Sequence, residues 1–480
     1  MPRRSATIQG KDAGVFVAGV RAIETELNLP GEFPSHVLAA AAEAAAHPRL
    51  PGLDRTDLPL VTIDPPASQD LDQALHLERR RNGYRVFYAI ADVAAFVEPD
   101  GPVDVEAHVR GETLYGPDHR IPLHPPVLGE GAASLLPGQL RPAVLWTIDL
   151  DSAGEGTMID VSRALVRSHA RFDYETVQRR LTDGTADQVF TLLKEVGELR
   201  MHREAERGGV SLPLPEQEIV VADGGWSLDY RRLLPVEEWN AQVSLLTGMA
   251  CAQIMLYGEV GIVRTLPPPP HSAVARLRRT AAALKLDWRA EVTYPDFARS
   301  IDPNTPTGAA MLNACLTLLR GAGYVAFEGG VPDHIEHAAL ASEYAHVTAP
   351  LRRLVDRYSG EIAVALCADN PIPEWVGARL RDLPKEMNEA EQRSHQFERA
   401  VLSLVEAGTL ADRVGEAFTG VITDTEARRP AEGLVMLHDP AVEARVDAPA
   451  GRVLPLGREV LVRLVEADPA RRVVRFELVT

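Results

Sequence analysis

The hydrophobic pattern changes period near residue 416, and this break constrains the fold most. From there the chain runs FTGVI, GLVML, EARVD, EVLVRLV and VVRFEL, short alternating segments separated by Gly, Pro and Asp. Alternation at a period of two marks half-buried strands. Five strands in about 65 residues have the count and size of an OB-fold barrel. Upstream the spacing is mostly helical, over about 173–207, 235–258, 272–285, 306–323, 349–368 and 383–415. The segments LVTID (60–64), YRVFYAI (84–90), AVLWTIDL (143–150) and 158–166 read as strands, and Pro267 to Pro270 mark a loop. The middle of the chain is therefore expected to be one mixed α+β domain.

The first fifty residues read differently again. Val15, Val20, Ile23 and Leu27 recur at helical spacing, and Ser35 is a candidate N-cap for a second, alanine-rich helix to Ala46. Two short helices with a turn make either a helix-turn-helix-like unit or a prefix packed on the main domain. The expected division is 1–50, 51–412 and 413–480.

Composition narrows the function classes. Apolar residues make up 45% and charged residues 25%, ordinary globular values. A net charge of −18 argues against a protein that coats nucleic acid, but not against an enzyme that takes one strand into a lined channel. With 5% aromatics, any base stacking must rely on a few placed rings. Cys251, Cys315 and Cys367 are too far apart for a zinc or disulfide framework. The start, MPRRSATIQG, lacks an apolar signal core, and no run approaches the roughly 18 apolar residues of a membrane span. A soluble cytoplasmic protein with no membrane or obligate protein partner is expected.

The chemistry is concentrated in Thr62 to Leu75, TIDPPASQDLDQAL. Asp64 ends a strand that Pro65 and Pro66 forbid from continuing. Asp70 and Asp72 follow two apart, so in an extended loop they project to one side and Asp64 can converge on them. Hard oxygens gathered this way suit magnesium, with manganese a possible substitute, and phosphodiester chemistry. Asp-x-Asp in a loop also serves turn formation and N-capping.

TIDPPASQDLDQAL followed by YRVFYAIADVAAFV closely resembles the catalytic stretch of the ribonuclease II / RNB family. Asp64, Asp70 and Asp72 fall on three of the family's four clustered aspartates, Gln73 stands on the fourth, and Asp92 falls on the aspartate of the I-A-D-V strand. The resemblance implies an α+β RNB domain that degrades single-stranded RNA from the 3′ end to nucleoside 5′-monophosphates. Asp64, Asp70, Asp72 and Gln73 would hold Mg²⁺, the three aspartates and Arg352 would be catalytic, and the 2′-hydroxyl would be the handle for RNA. In RGETLYGPDHRIPLHPP (110–126), Tyr115 matches a tyrosine that stacks on the 3′ bases. RTLPPPPH (264–271) stands where the family usually carries a partner phenylalanine, leaving Leu266 and the prolines as a candidate apolar wall. HAALASEYAHVTAPLRRLVDRY (337–358) is the second strong match. In it Thr348 and Arg353 are implied RNA contacts, and Arg352 falls on the arginine that meets the scissile phosphate. Glu398, in NEAEQRSHQFER, matches a carboxylate that contacts the terminal nucleotide. Tyr174, His337 and His346 read as structural.

The tail resembles an S1 domain, with Phe418 the nearest candidate for an exposed aromatic and Arg428, Arg429, Arg471 and Arg472 candidate phosphate contacts. The family typically places two cold-shock OB-folds before the catalytic domain; the helical prefix is too short for both. Two rivals stand beside this reading: an RNB-fold protein that binds RNA without cutting it, and a nuclease built on the Asp-x-Glu pair Asp104 and Glu106.

Overall fold

The strand that Asp64 and its two prolines bring to an end opens a closed barrel. The computed structural model describes residues 13–66, 68–117, 119–212, 216–222, 225–426, 428–437 and 439–479. Strands Leu60–Ile63, Gln73–Arg80, Gly83–Ala91, Leu140–Asp151 and Gly156–Phe172 close in that order. The first strand pairs antiparallel with the second and parallel with the fifth, Ile63 lying opposite Phe172. Val86, Tyr88 and Ile90 enter one buried cluster with Trp146 and Ile148, while Phe87, Ala89 and Ala91 enter another with Leu145 and Val166. Burial on both faces is why GYRVFYAIA is apolar almost throughout instead of alternating. Gln73–Arg80 escapes a pattern search because its charged end, Glu78 to Arg80, runs out to the hairpin tip.

Helices cover this barrel. The helical stretch expected over 173–207 is two helices, Tyr174–Thr182 and Gln188–Arg207, separated by a turn that includes Asp183 and Gly184. An unforeseen hairpin, Glu216–Ala222 with Gly225–Arg231, precedes helix Pro235–Tyr257. The helix expected over 306–323 stops at Leu316, and Gly323–Glu328 instead pairs as a strand with Val260–Thr265. The expected 349–368 helix begins only at Leu354, because residues 345–353 form a turn against the barrel.

Gly248, on helix Pro235–Tyr257, lets that turn come close. Its carbonyl accepts the Ala345 N–H at 3.1 Å, and an added Cβ would stand 2.2 Å from the Tyr344 ring and 2.7 Å from the Ala345 oxygen. Gly248→Ala is therefore expected to lower stability by about 2 kcal/mol, the usual cost of overpacking. Thermal unfolding checks this; an unchanged midpoint would show that the turn is not held by this contact.

The N-terminal helices bury their apolar sides on the body. Phe16, Val20 and Ile23 of Ala13–Glu26 pack with Trp226, Leu404 and Val405, and Val37 and Ala41 of Ser35–Ala46 pack with Val103 and Leu128. Ser35 is the first helical residue, not the cap: Pro34 holds that position and no side chain caps the helix.

The long helix Leu383–Leu410 leads to the second barrel, made of Ala417–Glu426, Arg429–Leu437, Glu443–Asp447, Glu459–Asp468 and Val473–Leu478. Phe418 is not an exposed platform: it is buried, with its ring edge-on to Phe476 at 5.8 Å. Arg429 pairs with Glu426 and Glu432, Arg471 with Glu466, and Arg472 with Glu26, so these three cations are shared with carboxylates.

Candidate active site

Three segments distant in sequence meet at one end of the first barrel: the acid loop 64–73, the hairpin around 114–121 and the turn 345–353. The loop is fixed by its backbone. The Asp64 N–H extends the ladder to the Phe172 carbonyl at 3.1 Å, and Arg171 donates to the carbonyls of Pro65 and Pro66. Leu71 is fully buried, its N–H donates to Ser134 Oγ at 3.0 Å, and that hydroxyl donates to the Gln69 carbonyl at 2.7 Å.

Asp72 is 4% exposed. Its Oδ1 accepts the Leu351 N–H at 2.8 Å, and Arg352 Nε lies 3.5 Å from Oδ2. Gln73 donates its amide to the Thr348 carbonyl at 2.5 Å, so two successive residues of the loop grip the turn. The turn is braced from behind by Asp356, which accepts the Ala349 N–H at 2.6 Å and a two-pronged pair from Arg353 at 2.9 Å. Arg353, expected from the resemblance as an RNA contact, is thus occupied as a brace. Thr348 is buried and meets the loop through its backbone.

Burial dominates the electrostatics. It pushes the Asp64 carboxyl up to about 6 against the pull of Arg171 and Arg352, and Asp72 up to about 8 against Arg352 and the Leu351 N–H. The Asp70 charge adds a smaller upward push to both, which is the setting in which a cation is welcome.

The donor chemistry fits a hard divalent ion: three carboxylates, an amide, and an Asp64 Oδ2 that is buried without a hydrogen-bond partner. As placed, however, the side chains do not close on one point. Among the described residues no three acidic, His or Cys groups surround a common ion position. Asp70 has polar partners of its own on the hairpin. The Tyr115 hydroxyl donates to its Oδ2 at 3.1 Å, and Arg120 Nη1 donates to its Oδ1 at 2.6 Å. Arg120 also reaches Glu130 at 2.8 Å.

Tyr115 and Arg120 face each other across the short ladder Leu114–Tyr115 with Arg120–Ile121. Tyr115 is 45% exposed, so its ring is free to meet a ligand. It opens on a groove of about 960 Å³ whose other walls include Ile219 and Arg231 of the hairpin and His395, Glu398 and Arg399 of the long helix. Tyr115 and Glu398 therefore share one groove, and Asp70 joins it to the acid loop through the Tyr115 hydroxyl. Arg120 and the Leu351 amide were missed in the sequence. The first lies five residues from Tyr115 in a stretch read only for its ring, and a backbone donor leaves no trace in side-chain identity.

The remaining candidates lie elsewhere. Asp92 is buried and paired with Arg163 at 2.9 Å. Asp104 pairs with buried Arg357 and Glu106 with Arg110, so both carboxylates of the Asp-x-Glu pair are engaged in ion pairs away from the acid loop. Leu266 is 2% exposed and bridges to His337, so it is core and not a wall of the groove. Tyr174 accepts from Asn240, and His346 is buried against Tyr324 and Tyr344, consistent with structural roles.

Comparison with known proteins bears on the family and the fold. Residues 53–363 match the RNB domain, and 416–479 match the RNase II-type exonuclease C-terminal S1 domain. The chain is 27% identical to Ribonuclease R of Aquifex aeolicus, over all of this chain and 73% of that protein. It is 28% identical to Ribonuclease R of Escherichia coli over 77% of this chain, but spans only 48% of that relative. Among solved structures, Mycoplasma genitalium RNase R in complex with ribose-methylated single-stranded RNA shares the fold, with TM-score 0.85 at 20% identity, covering 97% of this chain and 78% of that one. Yeast Ssd1, described as a pseudonuclease, has TM-score 0.69 at 16% identity, covering 94% and 58%. No described helix is long and apolar enough to cross a membrane. With its RNB match spanning well over half of its length and an S1 domain behind it, the chain belongs to the RNB family.

Proposed function

We propose that this protein is a magnesium-dependent exoribonuclease that hydrolyses single-stranded RNA from the 3′ end to nucleoside 5′-monophosphates. The observation that carries the reading is Asp72, buried between the Leu351 N–H at 2.8 Å and Arg352 at 3.5 Å, which joins the acid loop to the turn that bears Arg352. Names of relatives and of RNA-bound neighbours agree in substrate class.

Asp64, Asp70 and Asp72, with the Gln73 amide beside them, are the residues to hold Mg²⁺ or Mn²⁺. Such an ion polarises a phosphate and lowers the pKa of an attacking water. Arg352 keeps its charge and presents a planar fork, so it stabilises negative charge building on the phosphoryl oxygens. Tyr115 supplies a stacking face at the groove, and Glu398 a carboxylate able to accept from ribose hydroxyls. Incubation of 5′- and 3′-labelled RNA with and without EDTA is the test. Monophosphates released from the 3′ label only with metal are expected; RNA binding without product would overturn the enzymatic reading.

Gln73 is the departure from the family pattern, and its geometry gives a signed expectation. Gln73→Asp removes the donor to the Thr348 carbonyl and faces it with a carboxylate, costing about 1–3 kcal/mol without metal. The same change adds a hard, charged ligand, so Mn²⁺ should bind more tightly. Unfolding in EDTA and a Mn²⁺ titration read the two signs separately; weaker Mn²⁺ binding would remove Gln73 from the ligand set.

A further inference from the structure

We infer that Arg120 is an internal counter-ion that competes with a divalent cation for Asp70. The inference rests on the reading of the acid loop as a cation site and concerns how that site is regulated. Three observations carry it. Arg120 places one guanidinium nitrogen 2.6 Å from Asp70 Oδ1 and another 2.8 Å from Glu130, so it has a second carboxylate to fall back on. Tyr115 holds the other Asp70 oxygen at 3.1 Å, so both oxygens have partners on one hairpin. The three aspartates, although brought to one place, do not surround a common point.

Opposite charges at hydrogen-bond distance attract strongly where water is scarce. Asp70 is therefore neutralised and held toward the hairpin by Arg120. Drawing it onto an ion means weakening that pair, and Glu130 keeps the released guanidinium from standing free. Because Tyr115 and Arg120 sit opposite each other in one ladder, whatever takes Asp70 also acts on the position of the stacking ring. Arg120 is thus a positioning residue.

The test is Mn²⁺ affinity of the full chain, followed by electron paramagnetic resonance of the free ion without RNA. Removing the cation in Arg120→Met should tighten binding on the order of tenfold. Arg120→Lys, which keeps the charge, should stay near wild type. Glu130→Gln should act in the opposite sense, weakening Mn²⁺ severalfold, because Arg120 is then left to Asp70 alone. A residue that merely shapes the loop would not give opposite signs at Arg120 and Glu130. Unchanged or weaker binding in Arg120→Met, with wild type binding normally, would overturn the counter-ion and leave the cation site standing. Absence of Mn²⁺ binding in wild type and variants alike would overturn both. Should Arg120→Met fail to fold, Glu130→Gln decides: unchanged or tighter binding there sinks the inference.

Discussion

Asp72→Asn is expected to leave RNA affinity within a fewfold of wild type and to cut turnover by about a thousandfold or more. The substitution is nearly isosteric, and the amide oxygen can still accept the Leu351 N–H that Asp72 accepts at 2.8 Å. What disappears is the charge, and with it one cation ligand and the anion facing Arg352. Binding should survive because the Tyr115 groove does not depend on that charge. Single-turnover release of monophosphate from 3′-labelled RNA, beside a filter-binding isotherm, separates the two effects; near-normal turnover would sink the assignment of Asp72.

The same variant carries a stability signature with the opposite sign. Burial raises the Asp72 carboxyl from its ordinary 3.8 to about 8 in the folded chain. The folded state therefore holds a proton that the unfolded state gives up between about pH 4 and pH 8. The stabilising contribution of the protonated acid is present below that window and is lost as pH rises through it. Asparagine never ionises. In EDTA, Asp72→Asn should then match wild type near pH 4 and unfold at a higher temperature near pH 8. A gap that failed to widen with pH would show that Asp72 is solvated well enough to ionise at its ordinary value.

Much of this site could be read from the chain because its chemistry is local. The strand before Asp64, the prolines after it and the Asp70–Asp72 spacing specify a loop of acids whatever surrounds them, and period-two alternation after residue 416 specifies the second barrel. Function was less local. The groove wall formed by hairpin Glu216–Ala222 and Gly225–Arg231 lies in a stretch of mixed polarity with no clean alternation. Arg353 and Arg352 are neighbours in sequence, and only the position of Asp356 shows which is the brace and which faces Asp72. Phe418 misled for a similar reason: a ring near a barrel's start serves either surface or core, and Phe476 decides it. Pairwise facts of this kind arise from folding and are not carried by any one residue.

Arg352 should show the second large effect, with two separable parts. Its backbone is fixed, since the Thr113 N–H donates to the Arg352 carbonyl at 2.9 Å, while its side chain remains nearly half exposed with Nε 3.5 Å from Asp72. Arg352→Ala is expected to lower turnover by about 10²–10³-fold, the usual loss when a donor to developing negative charge is removed. Part of that loss is indirect. Arg352 is the first charge opposing the burial of Asp72, so its removal raises the Asp72 carboxyl further and leaves more of it protonated at neutral pH. Raising the pH should recover this part, whereas the direct part, contact with the phosphate, should persist at every pH. The rate of Arg352→Ala should therefore climb more steeply than wild type from neutral pH upward and still fall short of it at the top. Arg352→Lys keeps a cation but not the fork, so it should restore the wild-type pH profile more fully than the rate. A pH–rate series on these two variants and wild type settles the division. Full recovery of Arg352→Ala at high pH would mean that the arginine acts on Asp72 alone and never meets the phosphate.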